Sequence, residues 1–165
     1  MTRHEYRWLA GGIAVLVAAD WASKLWVLNR IPLGDTRAVV EGWLYFAHRQ
    51  NTGVAFSMFA DLPAFWGPLL LSAFSLIAIV LFVRMMRETP DPAGRGAMAL
   101  VIAGAIGNLG DRLVTGSVTD FILVSFFPYV FNIADAVITV GGVVLVAYLL
   151  FGGRSAQSDP VSARS

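Results

Sequence analysis

Ala97-Met-Ala-Leu-Val-Ile-Ala-Gly104-Ala-Ile-Gly107-Asn108-Leu-Gly110-Asp111-Arg112-Leu113 is apolar for eleven residues and then presents an amide, a carboxylate and a guanidinium within five. A soluble helix spreads its polar residues along one face over its whole length. Here they are confined to one end, and the run is shorter than the roughly 20 residues of a full span, so it reads as a span only together with the other three. Three further runs resemble it in length, at 8–28, 66–84 and 133–151. Each is close to the roughly 20 apolar residues that cross a bilayer. The chain of 165 residues is 57% hydrophobic and only 14% charged, against about 25% charged for soluble domains. The fold class expected is an all-α membrane protein, a four-transmembrane-helix bundle.

The same composition removes several functions. Twelve basic and eleven acidic residues leave a net charge of +1, which does not suit a nucleic-acid-binding surface. There is no cysteine, so disulfides, thiolate metal sites and cysteine nucleophiles are excluded. His4 and His48 are the only histidines, too far apart for a two-histidine zinc motif on one helix. Carboxylates, hydroxyls, amides, Lys24 and arginines are left to do any chemistry.

The organisation follows from the gaps between spans. Residues 1–151 form one membrane-embedded domain, and the Gly/Ser/Arg-rich 152–165 read as a disordered cytoplasmic tail. The long polar segment 29–65 contains a β-branched and aromatic first half and an Asn51-Thr52-Gly53 turn signal, so a small sheet on the membrane surface is expected. Residues 54–59 fit either a strand or a short interfacial helix, and periodicity does not separate the two. A second polar segment, 114–132, carries Asp120, which reads as a loop acid. The apolar character resumes after Asp20 through Leu28, so the first span is an uncleaved helix and not a removable signal segment. Seven arginines (Arg3, Arg7, Arg84, Arg87, Arg95, Arg154, Arg164) fall on one side of the four crossings and three (Arg30, Arg37, Arg49) on the other. Basic residues accumulate on the cytoplasmic side, so both termini are expected there.

The ionisable residues inside the spans are unusual, because a charge at mid-membrane costs about 2.5–3.5 kcal/mol even on lenient scales. Asp20, Lys24, Asp111, Arg112 and Asp135 nevertheless sit in or beside the spans, with Asp120 between two of them. From the helical rise, Asp20 lies roughly 12 Å and Lys24 roughly 6 Å below the outer end of the first helix. All of them lean toward one surface, the outer leaflet. Gly104, Asn108 and Asp111 share a helix face, as do Asn132, Asp135 and Thr139, while Asp20 and Lys24 are an i, i+4 pair. Glycines at 104, 107 and 110 allow a close neighbour.

Each feature also has a purely structural explanation. Asp20 and Lys24 neutralise each other. Asn132 and Asp135 match an N-cap with its partner three residues on. Asp111 and Arg112 suit a helix-end ion pair. What these separate explanations leave open is the common depth of the acids. Two carboxylates sharing a site cannot both ionise cheaply, and such a pair both activates water and polarises a carbonyl. The spacing permits Asp120 to fold back onto Asp135, which the positive end of the fourth helix holds as an anion, with Asp111, Arg112 and Asn132 in support.

Five blocks carry a resemblance: Asp20-Trp-Ala-Ser-Lys24, Asn51-Thr-Gly-Val-Ala-Phe56, Gly104-Ala-Ile-Gly-Asn108-Leu-Gly-Asp111-Arg112, Val118-Thr-Asp120-Phe121 and Phe131-Asn132-Ile-Ala134-Asp135. In this order the chain resembles the lipoprotein signal peptidases (signal peptidase II), from the first span through the fourth. Gly110 and Val54 depart from the residues common there, which touches local packing only. The resemblance implies an aspartic endopeptidase of the bacterial inner membrane that cuts prolipoproteins just before a diacylglyceryl-modified cysteine. It implies Asp120 and Asp135 as the catalytic pair, with Asp20, Asn51, Gly104, Asn108, Asp111, Arg112, Asn132 and Ala134 supporting or contacting substrate. Lys24 joins them from its pairing with Asp20. It further implies a small extracytoplasmic sheet with a mobile surface helix, and inhibition by cyclic peptide antibiotics such as globomycin. A monomer among membrane lipids is expected, without metal or organic cofactor and without nucleic acid. Two other classes compete with this reading. A proton-coupled transporter also buries acids, but usually shows repeats and polar groups at midplane. A non-catalytic assembly factor would tolerate Asp→Asn at both acids.

Overall fold

The computed structural model describes residues 1–53 and 66–151. The expected short helix or strand at 54–59 and the tail at 152–165 lie outside the described residues. Among the described residues, four helices are long and apolar enough to cross a membrane: α1 (Arg3–Arg30), α2 (Trp66–Glu88), α3 (Pro92–Thr115) and α4 (Ile133–Phe151). Most run a few residues past the apolar windows because their caps do. Thr2 starts α1 with a capping box, its hydroxyl accepting from the Glu5 N–H and its own N–H donating to Glu5 at 2.8 Å. Asp91 accepts from the N–H groups of Ala93 and Gly94, with Pro92 in the first turn of α3. Gly116, at φ +77°, ends α3 in the left-handed conformation.

α3 is the centre of the bundle. α1, α2 and α4 all pack on it, and α1 also meets α4. Its run of alanines and glycines makes this possible, because small side chains let helix backbones approach. At Gly104 a Cβ would collide with the carbonyl oxygen of Ala134 on α4. Met86, Ala97, Met98, Ile102 and Leu145 form the apolar core. Large residues such as Phe74, Ile77, Val143 and Leu149 face outward, as helices surrounded by lipid require. α1 inverts the soluble pattern: its buried residues are Asp20, Lys24 and Val27.

At the end where α1 and α3 finish and α4 begins lies a three-stranded antiparallel sheet in the order β1-β2-β3. β1 is Thr36–Val40, β2 is Leu44–Asn51 and β3 is Val118–Val124. The third strand corrects the expectation of a loop around Asp120. Val118, Ile122 and Val124 are β-branched and the segment suits a pleated surface, but Thr119 and Asp120 interrupt an apolar run too short to span a membrane. Asp120 pairs with Arg49 and Thr119 with Gln50. The chain then doubles back, so that Phe131 bridges to Ile122 and its N–H donates to the Ile122 carbonyl at 2.9 Å. That return places Asn132 beside Asp120 one residue before α4 starts.

Candidate active site

The polar residues of α1, α3 and α4 meet. Lys24 is 2% exposed, and its ammonium lies 2.7 Å from Asp20 Oδ2, 3.0 Å from Asp111 Oδ2 and 3.1 Å from Asn108 Oδ1. An ammonium has three donors, and each has an acceptor here. Asp20 Oδ1 accepts from the Ala134 N–H at 2.9 Å, one of the donors at a helix start that have no partner within the helix. Asp111 Oδ2 also accepts from the Thr119 N–H at 3.0 Å, which fastens β3 to α3. The helix-end ion pair that Asp111 and Arg112 also suited does not form; Asp111 turns to Lys24. Successive residues on a helix point about 100° apart, so only one of the two faces α1.

These ions orient a chain of amides. Because Asn108 Oδ1 is taken by Lys24, its Nδ2 donates to Asp135 Oδ1 at 2.8 Å. The Asn132 N–H donates to Asp135 Oδ2 at 3.2 Å, and Asn132 Oδ1 accepts from the Asp135 N–H at 2.9 Å. This is the reciprocal cap anticipated from sequence. It leaves Asn132 Nδ2 free to donate to Asp120 Oδ1 at 2.6 Å. Asp120 Oδ2 accepts from Asn51 Nδ2 at 2.9 Å, and Asn51 Oδ1 is held by the Gly53 N–H at 2.8 Å. One unbroken series thus runs from Lys24 through Asn108, Asp135, Asn132 and Asp120 to Asn51.

Asp120 and Asn132 are 3% and 0% exposed. Burial pushes the Asp120 carboxyl up to about 6, opposed by the amide donated from Asn51; the charge of Asp135 raises it further, while Asn132 and Lys24 pull it back. Among the described residues Arg112 hydrogen-bonds only to the Asn108 carbonyl, at 3.5 Å, and its buried Nε has no hydrogen-bond partner there. Beside Asp135 an apolar groove of about 450 Å³ opens between α4 and the aromatic loop that follows β3, lined by Phe126, Phe127, Phe131, Thr139 and Val140.

Some contributors were not singled out from the sequence. Trp21 Nε1 donates to the Gly107 carbonyl at 3.2 Å, locking α1 to α3. Gln50 donates to Thr119 at 3.1 Å and accepts from Ser117 at 2.6 Å, bracing the strand that carries Asp120. A polar residue near the end of a strand carries no distinguishing signal in one sequence.

Fold and site together define a multi-pass membrane protein whose buried carboxylates, with Lys24, are gathered at one end. The family model for signal peptidase (SPase) II matches residues 12–151. A lipoprotein signal peptidase of Pseudomonas putida is 41% identical over 164 residues, covering 93% of this chain and 91% of that protein. One of Solibacter usitatus is 33% identical over 160 residues, covering 93% and 98%. A bacterial membrane enzyme of known structure superposes with a TM-score of 0.78 at 25% identity, covering 91% of this chain and 92% of its own. The chain belongs to the signal peptidase II family. It is therefore a membrane peptidase, and an aspartic type fits the family; the carrier and non-catalytic readings give way.

Proposed function

We propose that this peptidase removes signal peptides from bacterial prolipoproteins, cutting N-terminal to the diacylglyceryl-modified cysteine, with Asp120 and Asp135 as its catalytic pair. The observation that carries the reading is Asn132, whose side-chain amide reaches Asp120 at 2.6 Å while its backbone N–H reaches Asp135 at 3.2 Å. One residue thus holds both carboxyls in register.

The roles divide by environment. Asp120, raised to about 6, keeps the shared proton and hydrogen-bonds the scissile carbonyl. Asp135, at the start of α4 and receiving hydrogen bonds from Asn108 Nδ2 and the Asn132 N–H, is the base. It takes a proton from water as the oxygen adds to the carbonyl carbon. The C–N bond then breaks and the nitrogen takes the proton of Asp120. One proton has passed across the pair, and returns to Asp120 before the next cycle.

The remaining residues position or bind. Asp20, Lys24 and Asp111 fix Asn108 and the start of α4. Gly104 and Ala134 let α3 and α4 approach, and Asn51 holds Asp120 from the sheet. Arg112, with its Nε unpartnered, holds a substrate carbonyl. The groove beside Asp135 takes apolar parts of the substrate. With the arginine-rich end cytoplasmic, the pair lies near the outer leaflet, where a lipidated peptide arrives from the bilayer. The chain acts as a monomer, and globomycin-like cyclic peptides compete for the same carboxyls. The test is cleavage, by the full chain in neutral micelles, of a prolipoprotein peptide with and without diacylglycerol on its cysteine. Cutting only the modified peptide, with a product beginning at that cysteine, is expected. Equal cutting of the unmodified peptide, or cutting elsewhere, overturns the assignment.

A further inference from the structure

The other end of the bundle carries a feature that the peptidase chemistry does not use. α1 and α2 both pack on α3 but not on each other. At their ends remote from the carboxylates the gap becomes an open-sided cavity of about 540 Å³, lined by Arg3, Tyr6 and Arg7 of α1 and Arg87 of α2, with Met1 and Thr2. Its size is within the range of small-ligand sites. Arg3 and Arg7 stand one turn apart and share a face.

No side-chain hydrogen bond or ion pair joins any of these three arginines to another described residue. The nearby acids are otherwise placed. Glu5 is held by the Thr2 N–H at 2.8 Å and by Arg95 at 3.1 Å, and Glu88 does not line the cavity. Three arginines therefore line one space, and no acid is among its lining residues. The depth is also defined. Trp8, 70% exposed, begins the apolar part of α1, as expected of an indole at the membrane interface. Leu9, Ile13, Phe82 and Val83, partly buried, pack against the apolar core just beyond. Polar cations above and apolar walls below match a lipid, with its phosphodiester at the arginines and its chains along the helices.

We propose that this cavity binds the headgroup of an anionic phospholipid, the guanidinium forks of Arg3, Arg7 and Arg87 gripping its phosphate. The inference does not depend on which leaflet the end occupies. Native mass spectrometry of the full chain in neutral detergent tests it, with added dioleoyl phosphatidylglycerol, dioleoyl phosphatidylcholine or inorganic phosphate. The wild type is expected to retain phosphatidylglycerol over the other two. R7Q and R87Q should each reduce retention about five-fold, the equivalent of roughly 1 kcal/mol per basic residue, and R87K less than R87Q. R37Q, on the sheet at the opposite end, should change nothing, and cleavage in lipid-free micelles should persist in all variants. Equal retention by R87Q and the wild type overturns the site. An equal loss in R37Q shows unspecific charge attraction, and phosphate binding as well as the lipid shows a site for free anions; either defeats the proposal.

Discussion

Asn132 is where structure and chemistry are hardest to separate, and two substitutions separate them. Asn132→Ala removes a helix cap, worth about 1 kcal/mol, and takes one donor from a carboxyl that is 3% exposed, worth about 1–3 kcal/mol. A loss of about 3 kcal/mol in unfolding free energy follows. Asn132→Ser keeps an oxygen for the Asp135 N–H, because serine caps as well as asparagine, but has no amide to reach Asp120. It should recover the capping share, about 1 kcal/mol, and none of the activity. Both variants let the two carboxyls drift apart, and misplacement of about 1 Å costs on the order of 100-fold in rate. The pH profile shifts as well. Asn132 is among the groups that hold Asp120 down toward about 6, so without it the proton is held more tightly and the alkaline limb of kcat/KM moves to higher pH. Thermal unfolding followed by tryptophan fluorescence, with kcat/KM against pH on a lipidated peptide, reads both effects. Restoration of rate and stability together in Asn132→Ser would show that Asn132 is a cap and nothing more.

Lys24→Met leaves Asp20 and Asp111 facing each other without their cation; breaking a buried ion pair in this way costs about 3–5 kcal/mol, visible as a collapse of the unfolding midpoint in micelles. Gly104→Ala drives a methyl into the Ala134 carbonyl and should cost about 1–3 kcal/mol with lowered cleavage. Gly12→Ala, where a Cβ meets nothing within 4 Å, should gain up to about 1 kcal/mol from helix propensity. The raised Asp120 carboxyl binds its proton more tightly when folded than its ordinary value of 3.8 allows. Its stabilising effect is therefore full below pH 3.8 and declines as pH rises to about 6, by about 3 kcal/mol at most; Asp120→Asn should flatten that slope in equilibrium unfolding.

The parts of this molecule legible in its sequence are those governed by short-range rules. Span positions follow from apolar length, and the Asn132–Asp135 cap from spacing alone. The gathering of Asp20, Lys24, Asn108 and Asp111 follows from helical faces that lipid would penalise. What escaped depends on pairing across the chain. Val118–Val124 becomes a strand because β2 offers it an edge, and nothing local announces the Phe131–Ile122 bridge that sets Asn132 beside Asp120. Asp111 chooses Lys24 over its neighbour Arg112 for the same reason, since the partner is fixed by how α1 lies on α3. The structural and chemical explanations of Asn132 and Asp135 also prove compatible. The hydrogen bonds that cap α4 are the ones that aim its carboxylate.

The most direct measurement is single-turnover cleavage of a diacylglyceryl-modified prolipoprotein by Asp120→Asn and Asp135→Asn, each first verified as folded by its unfolding midpoint. If the two carboxyls share one proton and one water, either change lowers the rate by about 10³-fold or more while substrate still binds. Cleavage by either variant within about ten-fold of wild type would contradict the paired-carboxylate mechanism.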